Sequence, residues 1–182
     1  MAKTRLSAAT YVDRGYGQVE PNHLSARRTG QIYAQLPAAA TIDVLENGQF
    51  AKYDYANGVV NFTGAGEWML VFNEVKVYED RETDEDFAML KGNYQARSYD
   101  AIGNEMPEGT SMVPRMFKTN VGDIFTTNTI KETSLEVKDV LTPGADGYLT
   151  KTDATSADMQ WAVCRVYTLA DGQKAVKIQR IK

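Results

Sequence analysis

From residue 41 onward, apolar and polar residues follow the short alternating period of β-strands rather than the longer period of helices. The pattern begins with the runs TIDVL, QFAKYDY and VVNF, which are separated by the dipeptides Asn47-Gly48 and Asn57-Gly58. Asn-Gly is favoured where two turn residues need positive φ, which is the geometry of tight hairpins. This part of the chain therefore predicts a β-meander.

The pattern continues to the C-terminus with one interruption. Residues 67–78 (EWMLVFNEVKVY) are apolar enough for a long core strand, whereas residues 79–111 are rich in charge, Gly and Asn. We expect that second stretch to be a long excursion with one short helix around residues 84–92 (DEDFAMLKG). Strand-length runs then return, and the last two, WAVCRVYTL and QKAVKIQRIK around the turn ADG, predict a hairpin. Many short strands without intervening helices indicate a mostly β fold, a β-barrel or β-sandwich.

Residues 1–40 lack this regularity. Glycines and prolines interrupt short polar runs, and no apolar repeat lasts more than a few positions. We interpret residues 1–40 as an extended N-terminal arm that orders against another surface, and residues 41–182 as the β-barrel or sandwich body. The alternative is a segment that simply packs along its own body.

The charge distribution supports a protein partner rather than a nucleic acid. The net charge is −4, but residues 1–40 carry +3 and the remainder −7. An acidic body does not attract a phosphate backbone, so we expect no nucleic-acid binding. A basic arm suits an acidic partner surface or neighbouring copies of the chain. The sequence also contains neither a long apolar run nor the apolar core of a signal peptide, and we expect no membrane contact.

Few side chains are suited to catalysis. With one histidine, His23, and one cysteine, Cys164, the chain cannot assemble a Cys/His zinc site or a relay of two imidazoles. We therefore predict no catalytic, cofactor or metal site, and we expect Cys164 to be a small apolar filler on a strand. The acidic segment 79–86 lacks the spacing of an EF-hand and fits a solvated loop. Paired carboxylates need no histidine, so a glycosidase stays open as an alternative.

Aromatic residues leave a second alternative open. The ten tyrosines, with Trp68 and Trp161, are dispersed along the predicted strands. Such residues usually fill a core or form cross-strand pairs. They also provide stacking surfaces for sugars or bases.

The order of segments resembles the capsid decoration (cement) proteins and related small virion proteins of tailed bacteriophages. The resemblance rests on layout over most of residues 41–182: VLENGQFAKYDYANGVV, VFNEVKVYEDRE, GDIFTTN, PGADGYLT and the terminal WAVCRVYTLADGQKAVKIQRI. It implies a small β-rich module on the outer capsid lattice that bridges neighbouring major capsid proteins. It also implies synthesis in the host bacterial cytoplasm, location on the virion surface, and no catalytic residue or cofactor.

From this resemblance we expect a non-enzymatic virion protein that binds the major capsid protein and neighbouring copies of itself, as a homo-oligomer. The arm residues expected to lie against acidic capsid or neighbouring-subunit surface are Arg5, Arg14, Arg27 and Arg28. Two alternatives remain. One is a tail, head-fibre or portal-associated component, and the other is a carbohydrate-binding module or carboxylate glycosidase that uses the aromatics and the acidic segment 79–86.

Overall fold

The fold is mostly β, as the sequence predicts. The computed structural model describes residues 7–13, 15–73, 88–90, 113–153 and 155–182. Within these residues the chain forms one short helix and twelve strands, numbered here in chain order. They are β1 (Val19–His23), α1 (Ser25–Arg28), β2 (Val44–Glu46), β3 (Phe50–Asp54), β4 (Val59–Asn61), β5 (Met69–Val71), β6 (Ala88–Leu90), β7 (Met116–Phe117), β8 (Ile124–Thr127), β9 (Val140–Pro143), β10 (Leu149–Lys151), β11 (Trp161–Thr168) and β12 (Lys174–Arg180).

Two antiparallel sheets form the body. The larger has six strands in the order β1-β8-β12-β11-β9-β10, and the smaller has four in the order β4-β3-β5-β7. The strands β2 and β6 pair separately. The described ladder of the larger sheet starts at β1 and ends at β10 without closing on itself. The predicted barrel or sandwich is thus confirmed as an open, sandwich-like arrangement of two sheets.

The main core lies between the two sheets, and three of its four fully buried aromatic rings contact one another. Phe50 of β3 faces Trp161 of β11, with ring centroids 5.7 Å apart. Phe125 of β8 meets Trp161 edge-on at 4.9 Å. Such tilted contacts are favourable beyond the burial of apolar area. These rings therefore join β3 of the smaller sheet to the centre of the larger one.

The smaller sheet is apolar on both faces. Its second face carries Ala51, Tyr53, Val60 and Met69, and the partly buried Leu36, Ala38 and Ala39 cover this cluster. Burial on both sides explains the continuous apolar run of β5, in which all three residues are buried. The long strand predicted for residues 67–78 is shorter than expected, because β5 ends at Val71. Residues 74–78 lie outside the described residues.

The N-terminal segment packs along the body. Strand β1 pairs with β8 at the edge of the larger sheet, and Tyr11, Leu24 and Ala26 belong to the main core. The described part of residues 1–40 therefore adopts the alternative arrangement, in which the segment covers its own body. The reason is that these apolar side chains cover a part of the main core that the two sheets leave open.

The two predicted Asn-Gly hairpins have different outcomes. The turn at Asn57-Gly58 joins β3 to β4 as predicted, with the Asp54 carboxylate accepting the Asn57 N–H. Of the two turn residues, however, only Gly58 has positive φ, at 66°. The Asn47-Gly48 turn does not form a hairpin, because β2 pairs with β6 whereas β3 pairs with β4 and β5. Gly48 adopts φ 91° and donates its N–H to Val71 O. This turn carries the chain from one sheet to another.

The predicted helix around residues 84–92 is wrong at Ala88–Leu90, which form β6 and pair with β2. The rest of the predicted excursion, residues 79–111, lies outside the described residues. The predicted terminal hairpin is confirmed, since β11 and β12 pair along their length.

Cys164 differs from its expected role as a buried filler. It lies on β11, as expected, but it is exposed. The register of β11 against β12 shifts between Val163 and Arg165. This β-bulge leaves Cys164 without a directly paired residue, because a bulge places two residues opposite one.

Candidate functional site

A buried aspartate from another part of the chain hydrogen-bonds the first residue of the helical turn α1. Asp123, which is 2% exposed, precedes β8. Its carboxylate accepts the backbone N–H of Ser25 at 2.9 Å and the Ser25 hydroxyl at 3.0 Å. Asn120 completes the cluster, since its backbone N–H donates to Asp123 and its amide donates to the Ser25 hydroxyl at 2.7 Å. The first turn of a helix has N–H groups without internal acceptors, and this cluster satisfies one of them.

This anchored turn presents two arginines to solvent. Arg27 and Arg28 occupy the last turn of α1 and are both exposed. The Arg27 guanidinium lies over the Phe72 ring, 5.6 Å from its centroid, which orients it without neutralising it. Among the ion pairs between described residues, neither arginine takes part. The result is a pair of adjacent positive charges on an anchored turn, with the Arg27 guanidinium oriented by Phe72, which we call the α1 arginine pair.

The structure brings together two of the four predicted site residues. Arg27 and Arg28 are adjacent on α1, whereas Arg5 and Arg14 lie outside the described residues. His23, at the end of β1, is exposed and precedes α1 by one residue. The acidic segment 79–86 is outside the described residues. In the part of the chain that the structure describes, no group of three or more His, Cys, Asp or Glu side chains is placed to hold a metal ion.

A shallow cleft of about 300 Å³ lies beside β9 and β10 and contains an ion pair. Lys151 Nζ is 2.7 Å from the Asp139 carboxylate. The hydrogen bond from Lys151, with one from the Glu136 backbone N–H, lowers the pKa of Asp139. The same contact with Asp139 raises the pKa of Lys151. Each group therefore stabilises the charged form of the other, which is the behaviour of a structural ion pair.

Three tyrosines form a patch on the smaller sheet. The rings of Tyr53 and Tyr55 are 5.5 Å apart, and Tyr55 is 71% exposed. Burial raises the pKa of Tyr53, and the nearby Tyr55 and Tyr33 add to that shift. Tyr33 is also exposed, at 40%. This tyrosine patch can stack against the apolar face of a ring-shaped ligand.

A buried carboxylate, Glu46, was not predicted from the sequence. It is 0% exposed and lies at the end of β2. It accepts the Ser7 hydroxyl at 2.6 Å and the Gly17 backbone N–H at 2.7 Å. Burial and the neighbouring Glu46 carboxylate raise the pKa of Tyr148. Glu46 thus fastens the N-terminal segment to the body.

Asp123 was missed for the same reason as Glu46. Both residues contact partners far away in the chain, so no local spacing marks them. The only local signal is a run of Asn, Gly and Asp before a strand, which is typical of an ordinary turn.

Comparison with protein-family models, with curated proteins and with solved structures found no match. Among the described residues, no helix has the length and apolar character needed to cross a membrane.

Proposed function

We propose that this chain is a non-enzymatic virion structural protein that decorates and stabilises a phage capsid by binding the major capsid protein on the outer shell. The observation that carries the proposal is the exposed α1 arginine pair on a helical turn that the buried Asp123 anchors at Ser25. The layout of residues 41–182 supports the same reading through its resemblance to decoration proteins.

A pre-ordered basic turn suits binding to a repeated acidic surface. An anchored backbone, and a guanidinium that is already oriented as in Arg27, lose less conformational entropy on binding. Arginine is also well matched to carboxylates, because its guanidinium makes two parallel hydrogen bonds. On a capsid lattice each copy needs only a modest interface, since the same contact is repeated at every equivalent position. The proposal therefore requires a rigid surface and no catalytic group.

A test must leave the fold intact, so deletion of residues 1–40 is unsuitable. That deletion removes β1 and the core residues Tyr11 and Leu24. The double variant Arg27→Glu/Arg28→Glu changes only exposed side chains. We expect it to weaken binding to phage heads that lack the protein by at least about tenfold, because two attractive contacts become repulsive.

A matched control makes the same change in net charge elsewhere. Lys174 and Lys182 are both exposed and lie outside α1. The double variant Lys174→Glu/Lys182→Glu is expected to bind heads as the unaltered protein does. If both double variants lose binding equally, net charge and not the α1 arginine pair governs attachment, and the assignment of this site fails.

Two other places in the virion are compatible with the same β-module, namely the tail or head fibres and the portal region. The number of bound copies separates these alternatives, because decoration follows the number of capsid subunits and a tail or portal part does not.

A second candidate function, a carbohydrate-binding module, is favoured by the tyrosine patch. Exposed aromatic rings stack on sugars, and Tyr55 is the most exposed of the large apolar residues described. Binding to a glycan array that is lost in Tyr55→Ala, with Tyr167→Ala as a control on the other sheet, would support it. The absence of glycan binding by the unaltered protein would exclude it. The carboxylate glycosidase depends on residues 79–86 and stays a prediction.

A further inference from the structure

The larger sheet has an outer face opposite to the core, and strand register places charged residues on it in a row. Directly paired residues of antiparallel strands project to the same side of a sheet, and successive residues alternate between sides. The paired residues Phe125, Ile178 and Val163 are buried in the core. The next row along the strands therefore lies on the outer face, where its two end residues are exposed, Lys177 is half-buried and Thr126 is 1% exposed. This charged row consists of Glu20, Thr126, Lys177 and Arg165, from β1, β8, β12 and β11 respectively.

The charges in this row are separated by sign. Lys177 and Arg165 are directly opposed on neighbouring strands, an arrangement of like charges that destabilises a sheet. Glu20 stands at the other end, and Thr126 lies between it and Lys177. None of the three charged residues forms an ion pair with another described residue. Each end of the row thus lacks a counter-charge within the described part of its own chain.

A second outward row lies beside the charged one and is partly apolar. It consists of His23, Ile124, Gln179, Ala162 and Val140, which pair in that order across five strands. Ile124, Ala162 and Val140 are half-buried. These three residues give the outer face apolar contact area beside its charged row, and a protein interface combines such an apolar centre with a polar rim.

We propose that the outer face of the larger sheet pairs with the same face of a second copy of this chain. The two-fold axis runs along the strands between β8 and β12. Rotation about this axis places β11 of one copy over β1 of the other, so that Arg165 meets Glu20 twice. It also places Lys177 over β8 of the other copy, where Thr126 is 1% exposed and donates its hydroxyl to Asn22, so that Lys177 lies away from the basic residues of that copy. Stacked sheets lie about 10 Å apart, a gap that a glutamate and an arginine span together.

The charge pattern selects this partner and this orientation. A two-fold interface must be complementary to itself, because the same residues occur on both sides. The charged row has one acidic end and one basic end. Each end faces its opposite only when the strand order of the second copy runs in the reverse direction across the interface. The dimer goes beyond the proposed capsid role and does not depend on it, since two free copies suffice to form it.

The test is sedimentation equilibrium of the full chain at low salt. We expect the unaltered protein to dimerise, and each of the reversals Arg165→Glu and Glu20→Arg to weaken dimerisation about tenfold or more, because each creates two like-charge contacts. The swapped variant Glu20→Arg/Arg165→Glu should restore the dimer. Lys174→Glu serves as the control, since Lys174 is exposed on β12 but alternates with Lys177 and Ala175 toward the other face.

Thermal unfolding of each variant verifies that the fold is kept. Restoration by the swap establishes the Glu20 to Arg165 contact between copies. A protein that stays monomeric, or a dimer that tolerates both single reversals, overturns the proposal. If the single reversals weaken the dimer and the swapped variant does not restore it, the proposed axis is overturned. Binding to phage heads is measured separately, so its outcome is distinguishable from these results.

Discussion

Removing the buried Glu46 carboxylate should destabilise the whole fold through the N-terminal segment. The substitution Glu46→Ala removes the acceptor of the Gly17 N–H and the charged acceptor of the Ser7 hydroxyl, at a position that is 0% exposed. A buried donor left without a partner, here the Gly17 N–H, costs about 1–3 kcal/mol, and loss of the hydrogen bond from Ser7 to a charged group costs about 1.5–3 kcal/mol. Loss of the desolvation penalty of the carboxylate offsets part of this. We expect the free energy of unfolding to fall by about 3 kcal/mol.

The magnitude can be measured by denaturant unfolding and by the shift in Tm. For a chain of this length, about 3 kcal/mol corresponds to a Tm lower by about 6–12 °C. Glu46→Gln retains one acceptor oxygen and should lose about half as much free energy. Glu136→Ala removes an exposed carboxylate and should change stability by less than about 0.5 kcal/mol.

A site-specific readout connects the loss to the N-terminal segment. The Gly17 amide proton should exchange with solvent faster in Glu46→Ala, because its hydrogen bond to the carboxylate is gone. If Glu46→Ala is as stable as Glu136→Ala and Gly17 exchange is unchanged, the carboxylate does not fasten this segment, and our account of how the segment is held is incorrect.

Three further predictions concern turns and the exposed cysteine. Gly147→Ala should destabilise the fold by at least about 2 kcal/mol more than Gly172→Ala. Both glycines have positive φ, but only at Gly147 would a Cβ collide with the Phe50 carbonyl oxygen. Denaturant unfolding measures both losses, and equal losses would contradict this. Cys164 should react with a thiol reagent in the native protein at close to the rate of the unfolded chain, whereas slow native labelling would contradict its exposure. Hydrogen bonds from Asn57 lower the pKa of Asp54. The ionised Asp54 carboxylate therefore stabilises the fold above the unfolded-state pKa, and this stabilisation is lost as pH falls through the folded-state pKa. NMR titration should show the lowered pKa, and Asp54→Asn should reduce the acid sensitivity of unfolding.

Sequence pattern predicted those elements whose partners are close in the chain. The terminal hairpin of β11 and β12 and the turn at Asn57-Gly58 join neighbouring strands, so alternation and turn residues are sufficient to find them. The same Asn-Gly dipeptide at residues 47–48 was misassigned as a hairpin. Its geometry depends on a hydrogen bond from Gly48 to Val71 on another strand, which local sequence does not contain.

Long-range packing also decides the parts of the site that were not predicted. The arginines of α1 were predicted from the charge of the arm together with the resemblance to decoration proteins, but the anchoring of their turn depends on Asp123, which meets Ser25 only in the folded chain. The basic arm was expected to order on another surface because its own apolar repeat is weak. Instead its described residues close the main core, since Tyr11 and Leu24 fill space that the sheets leave open.

The central claim, attachment to a capsid lattice, is tested most directly by co-sedimenting the purified protein with phage heads that lack it and counting the bound copies per particle. Our account predicts saturable binding at a fixed ratio to the number of capsid subunits, weakened in Arg27→Glu/Arg28→Glu and unchanged in Lys174→Glu/Lys182→Glu. A few copies per particle would place the protein in the tail or portal region, and no binding at all would contradict a decorating role.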